Sequence, residues 1–270
     1  MNRTTMSYMV ATLVSLAALG TLITQPTLAA ATATNAGTAD PTASSSVNTN
    51  PACGQVVSGN VTLSSNLDCS GDGLIVGNDN TVINMNGYTI SGPGRGSSKV
   101  GIMIPASSHV EVKGPGAIQD YQAGVLATGS NDVKVSRLIF SGNQIAVFMT
   151  GTRNTMLQEL IADKNTIAVA AHSATGADIE SNVMDGNALA GVTFVNSRDS
   201  TIAGNNIQGS NDGIFLDPQS HNNVVNSNIA KQNTEDVNNG NGLPVNINSN
   251  DFKDNLCTLS TPSGLCKGGQ

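Results

Sequence analysis

The sequence predicts an all-β chain in which short parallel strands wind into three-strand coils, and the coils stack into one solenoid. Three columns in phase lead to this reading. Apolar segments start at Gly73 (GLIV), Gly101 (GIMI), Gly124 (GVLA), Ala146 (AVFM), Ala168 (AVAA), Gly191 (GVTF) and Gly213 (GIFL), and from Gly124 onward the steps are 22, 22, 23 and 22 residues. Ile139, Ile161, Val183, Ile207 and Ile229 recur at 22, 22, 24 and 22, and Asn143, Asn165, Asn187, Asn211 and Asn233 keep the same steps. A fixed period of this size marks a repeat architecture. Units this short, rich in β-branched residues, Asn and Gly, do not suit a helix pair, and the Leu ladder of a leucine-rich repeat is missing. Seven coils or more of about 22 residues, stacked at about 4.8 Å, give a rod on the order of 34 Å long.

Each coil reads in order. In the first strand the position after the start (Ile102, Val125, Val147, Val169, Val192, Ile214) and the one two further on (Ile104, Ala127, Met149, Ala171, Phe194, Leu216) are apolar, the alternation of a strand with one buried face. A second strand follows about nine residues after the start, with inward pairs Val110 and Val112, Val133 and Val135, Thr155 and Leu157, and with Glu111, Lys113, Lys134, Asp178 and Glu180 turned outward. The Ile139 to Ile229 column supplies the third strand and is expected to point into the core. At the corner that follows, Asn tolerates left-handed turn geometry and bonds neighbouring backbone. Copies stacked at strand spacing also bond to one another as a ladder. These Asn residues speak for fold and not for chemistry.

The two ends differ from the repeats. Residues 1–30 read as a secretory signal peptide: Arg3 is the single charge, an apolar run extends from about Met9 to Ile23, and Thr27-Leu28-Ala29 or Ala29-Ala30-Ala31 supplies small residues for cleavage. Thr12, Ser15, Gly20 and Thr21 interrupt that run and leave it short of a stable membrane span. Residues 31–50 are rich in Ala, Thr and Ser and read as a disordered linker, so the folded domain is expected over 51–270. Export makes disulfides the natural state of Cys53, Cys69, Cys257 and Cys266. Four cysteines allow three pairings. Cys53 with Cys69 before the first coil, and Cys257 with Cys266 after the last, is the simplest, and a stapled loop at each end would cap the open strand edges of the rod. Close CxxC spacing for zinc is absent.

Composition narrows the partners. The chain carries 12 basic and 19 acidic residues, no Trp and 3% aromatics; loss of Arg3 with the leader takes the formal charge from −7 to −8. It lacks the basic footprint of a nucleic-acid binder. Its mean field also repels polyanionic glycans, although a local cleft can differ from the average.

The coil pattern resembles the right-handed parallel β-helix superfamily typified by pectate lyases, and more closely its branch of secreted, non-pectinolytic β-helix repeat proteins. The resemblance rests on CGQVVSGNVTLSSNLDCSGDGLIVGNDNTVINMNGYTISGPG, GIFLDPQSHNNVVNSNIAKQN and NDFKDNLCTLSTPSGLC, and spans residues 53–266. It implies the fold; the superfamily's activities are too varied to imply one. The GHG and RIK strings of polygalacturonases are missing, and no calcium-binding carboxylate set of the lyases transfers residue by residue, so no cofactor is expected, with calcium the one alternative and no residue set to support it. Phe215-Leu216-Asp217-Pro218-Gln219-Ser220-His221 keeps the Asp-Pro of mannuronan epimerases but displaces the His and loses the Tyr. Another branch contains the periplasmic protein that helps mature the copper site of nitrous-oxide reductase. Copper favours clustered His and Met, whereas His109, His172 and His221 lie in separate coils and Met85, Met103, Met149, Met156 and Met184 are scattered, so copper handling is disfavoured.

Two surface features remain. After the first strand of late coils, the repeat places His172 and Asp217 in one column two coils apart, and Asp199 and His221 in another one coil apart, with Arg198 beside Asp199. Base, orienting carboxylate and cation would suit proton abstraction next to a uronate, although turns also gather such residues for structural reasons. On the outward middle of the first strand, Met103, Leu126, Phe148 and Phe215, joined by Ala170 and Thr193, form an apolar stripe of the kind that marks a contact surface. It is expected to be covered by the N-terminal segment or another subunit, or to bind sugar-ring faces. The reading is therefore an exported, non-catalytic protein that recognises extracellular polysaccharide or attaches to the cell surface. The alternative is a lyase or epimerase acting on uronate glycans.

Overall fold

A computed structural model describes residues 51–267 and the short strand Asn48–Thr49; the expected signal peptide and most of the linker lie outside the described residues. The chain is a right-handed parallel β-helix. Its three parallel sheets hold ten first strands, ten second strands and eight third strands, each paired with its counterpart one coil away. Ala123–Thr128, for example, lies between Val100–Pro105 and Ile145–Thr150, with Val125 opposite Ile102 and Val147. A 3-10 turn at Val245–Ile247 is the one helical element among the described residues.

The alternation read from the first and second strands holds. Val125, Val147, Val169, Val192 and Ile214 form one dry column, Ala127, Met149, Ala171, Phe194 and Leu216 another, and Val133, Val135, Thr155 and Leu157 close the core from the second sheet. The third strand corrects the expectation. Strands such as Ile139–Ser141 and Ile161–Asp163 have three residues, and only the middle one faces in. The core column is Phe140, Ala162, Met184, Ile207 and Ala230, whereas Ile139, Ile161, Val183 and Ile229 are 41–46% exposed. The 24-residue step was the sign of this: Ile207 pairs with Met184, and Asn206 with Val183. Ala162 and Ala230 are small enough to conceal the true column behind bulkier neighbours.

Volume is traded across the core. At Gly124 an added Cβ would meet the Ala146 carbonyl oxygen at 2.6 Å and the Phe140 ring at 2.8 Å, and at Gly101 it would meet Ile118 at 2.6 Å. The coils of Ile118, Phe140 and Ile207 begin with Gly101, Gly124 and Gly191 and that of small Ala162 with Ala146, whereas the coils of Met184 and Ala230, which begin with Ala168 and Gly213, do not follow the exchange. Close packing leaves no slack for both to be large.

The Asn corner is a hydrogen-bonded ladder. Asn143 Nδ2 donates to Asn165 Oδ1 at 3.0 Å, and Asn165 Nδ2 to Asn187 Oδ1 at 3.2 Å. Asn211 is not a rung: Ser210 takes that place, its N–H donating to Asn233 Oδ1 at 2.9 Å. A second ladder, not read from the sequence, runs Asn182, Asn205, Asn228 and Asn255. Both satisfy corner backbone groups that would otherwise be buried unpaired.

Both ends are stapled. Cys53 bonds Cys69 and Cys257 bonds Cys266, with Cα separations of 5.6 and 5.2 Å. Asn48–Thr49 pairs with Val61–Thr62 at one end, and Ser260–Thr261 with Val237–Asn238 at the other.

Candidate functional site on the outer face of the first-strand sheet

The turn cluster read from the sequence does not assemble. Asp217 is 4% exposed, and its Oδ1 accepts from the N–H of Asn196 at 3.0 Å, the N–H of Ser220 at 2.8 Å and the Ser220 hydroxyl at 2.6 Å. Its carboxylate holds the turn, so the expectation that it projects outward fails. His172 ends the strand Ile167–His172 beside Val195, which separates it from Asp217 in the column. Asp199 and His221 are out of step by one residue. His221 lies beside Arg198, while Asp199 lies beside Asn222, whose Nδ2 donates to Asp199 Oδ1 at 3.2 Å. Both Asp199 and Asn222 hold the left-handed corner, at φ 54° and 57°, which is the turn role that short polar side chains serve. Arg198 reaches Asp199 at 3.6 Å on the exposed surface.

The apolar stripe is continuous. Leu126, Phe148 and Phe215 stack in register with Met103, Ala170 and Thr193. A flanking column, Val100, Ala123, Ile145, Ile167 and Ala190, joins them in a second hydrophobic cluster separate from the core. The strand can turn both columns outward because its second residue is skipped in the pairing, as at Gly124 between paired Ala123 and Val125. Leu126, Phe148 and Phe215 are 2–3% exposed within the single chain, so the stripe is covered within the chain and is not open surface.

Two carboxyls that the sequence reading missed complete this face. The flanking column continues from Ala190 to Asp212 and Glu235, which are paired in register on adjacent strands. Both are buried. Asn238 Nδ2 donates to Asp212 Oδ1 at 3.1 Å, and the Thr261 hydroxyl donates to Glu235 Oε1 at 2.9 Å. Burial pushes the Asp212 carboxyl up to about 6, with the neighbouring Glu235 charge pushing in the same direction and the Asn238 amide opposing both. Aligning NDGIFL under TEDVNN shows the pair at the 23-residue step; a search centred on His and turn residues passes over it.

A family model described as periplasmic copper-binding protein (NosD) matches residues 53–260. The chain belongs to this family. The sequence disfavours copper handling for want of clustered donors, and the donors of this family member are placed as follows. All four cysteines are in disulfides, Met85, Met149 and Met184 are sealed in the core, and no three His, Cys, Asp or Glu side chains converge among the described residues. That donor set does not fit the soft or imidazole-rich coordination copper prefers. No curated protein sequence matches the chain. Among solved structures, DFA-IIIase of Arthrobacter chlorophenolicus A6 in complex with GF2 is similar at 12% identity and TM-score 0.52, over 78% of this chain and 66% of that one. The enzymatically active domain of tailspike protein 2 of bacteriophage CBA120 is similar at 14% identity and TM-score 0.52, over 79% and 37%. The tailspike double mutant of E. coli bacteriophage HK620 in complex with a pentasaccharide is similar at 10% identity and TM-score 0.52, over 76% and 54%. The chain spans slightly less than two thirds of the first and smaller shares of the tailspikes, and the likeness to all three is one of fold. No helix among the described residues is long and apolar enough to cross a membrane.

Proposed function

We propose that this NosD-family protein is exported and recognises polysaccharide outside the cytoplasm. One observation carries the reading: the stacked coils form an unbroken rod of three parallel sheets, a long surface along which a linear polymer can lie. Two disulfides and the periplasmic description of the family support a location outside the cytoplasm. The pentasaccharide complex of a tailspike of similar fold supports the ligand class. The dispersed turn cluster offers no assembled base for the uronate lyase or epimerase alternative.

The test uses the exported protein, lacking the leader, with a panel containing pectate, alginate, chondroitin and uncharged glucans and fructans. Affinity electrophoresis reads binding, and ultraviolet absorbance reads unsaturated products. At least one polymer is expected to retard the protein without new absorbance. Failure to bind any polymer would overturn the reading.

A further inference from the structure

We propose that the outer face of the third-strand sheet binds an extended, uncharged polysaccharide laid along the rod. This deepens the polysaccharide reading and rests on it. Ile139, Ile161, Val183, Asn206 and Ile229 pair in register on successive third strands, and Leu256 extends the column through a bridge to Ile229. The five aliphatic side chains of this column are 41–46% exposed, unlike the covered stripe of the first-strand sheet. A contiguous apolar column open to water and rimmed by polar groups marks a contact surface. The rim is a second outward column two residues further along each strand: Gln119, Ser141, Asp163, Asp185, Gln208 and Lys231. Apart from the coil of Asn206, each coil from Ile139 to Ile229 thus offers one aliphatic and one hydrogen-bonding side chain side by side.

Spacing and charge choose the occupant. Coils repeat at about 4.8 Å, close to the advance of one hexose along an extended chain, so successive ring faces can lie on the aliphatic column and successive hydroxyls on the polar one. Five steps from Ile139 to Leu256 make a track about 24 Å long and two side chains wide. That is far below the roughly 800 Å² a side that a stable protein partner buries, and it fits one sugar chain. Asp163 and Asp185 are paired in the polar column, and Lys164 donates to Asp163 Oδ2 at 2.8 Å, so one lysine serves two carboxylates. The middle of the track stays negative and repels a polyuronate. A second copy centred on the track would set these carboxylates against their own kind. A neutral chain meets no such penalty, and its hydroxyls donate to Asp185.

Affinity electrophoresis of the exported protein, lacking the leader, in mixed-linkage β-glucan, galactomannan, inulin, pectate and alginate tests the assignment. At least one uncharged polymer is expected to retard the wild type, and pectate and alginate to leave it unretarded. Ile139→Ser combined with Ile161→Ser should weaken the retardation at least about tenfold through the loss of two apolar contacts. Met156→Ser, on the outer face of the second-strand sheet, should bind as the wild type does. Thermal unfolding shows that each variant is folded; Ile229→Ser, in another coil, gives the same readout should the double variant unfold. Wild-type retardation of the folded double variant, equal weakening by Met156→Ser, or retardation by the uronate polymers alone overturns the assignment and leaves the polysaccharide reading standing. A dimer in sedimentation that the double variant splits would make this face a self-interface and overturn it too. If the wild type is retarded by no polymer, the polysaccharide reading falls as well.

Discussion

The backbone N–H and the side-chain amide of Asn143 both donate to Oδ1 of Asn165, at 2.9 and 3.0 Å across one coil. Asn165 in turn donates to the Phe140 carbonyl at 3.0 Å and to Asn187. One buried amide therefore satisfies groups in three successive coils. Asn165→Ala is expected to cost about 3 kcal/mol or more, because it orphans several buried groups at once. Urea denaturation measures it; a loss below about 1 kcal/mol would show that water replaces the rung.

The third strand gives a paired prediction. Phe140→Ala empties a core position and should cost about 3 to 5 kcal/mol. Ile161→Asp changes an outward residue and should stay within about 1 kcal/mol of wild type. Thermal unfolding of both variants checks the register, and a reversed order would place Ile161 inside.

Asp217 and His221 separate structural from surface roles. Asp217→Ala removes the acceptor of the buried Ser220 N–H, the part-buried Asn196 N–H and the Ser220 hydroxyl, at about 2 kcal/mol. His221, exposed with Nδ1 2.9 Å from the Gln219 carbonyl, should tolerate Ala within about 0.5 kcal/mol. Equal effects from the two substitutions would contradict the turn assignment.

The end staples close loops of 16 and 9 residues. By chain entropy, replacing either pair by Ser should cost about 3 kcal/mol. Peptide mapping without reductant should link only Cys53 to Cys69 and Cys257 to Cys266.

Asp212 makes stability depend on pH. Its folded value of about 6 lies above its ordinary 3.8, so the folded state holds the proton more tightly than the unfolded one. Stability therefore declines as pH rises from about 4 through 6 and remains lower above it, by up to about 3 kcal/mol. Asp212→Asn should remove this penalty, raising stability at pH 7 and leaving it nearly unchanged below pH 4. Unfolding midpoints across that range give the answer; an Asn variant less stable at pH 7 would refute the sign.

Most of the fold was legible because alternation and period are properties of the chain itself. Val125 and Ala127 announce an inward face without reference to any neighbour. The third strand was harder, since three residues give a single inward position and Ala162 has little apolar bulk to mark it. The second Asn ladder escaped because its rungs lie among many other Asn residues. The candidate site was half visible: the stripe of Leu126, Phe148 and Phe215 came from the repeat, whereas Asp217 looked available until its oxygen was found committed to Ser220. Asp212 and Glu235 stood in register but lacked a histidine to draw attention to them.

Neither staple connects one end of the rod to the other, and each strand pairs only with its counterparts in the coils above and below. Length is thus a free variable of this architecture. Duplicating or deleting a complete repeat moves the ends apart or together without breaking any cross-link, and it lengthens or shortens the outward stripe by one strand spacing. A lineage can in this way change the length of the rod by unequal recombination, without redesigning the interior.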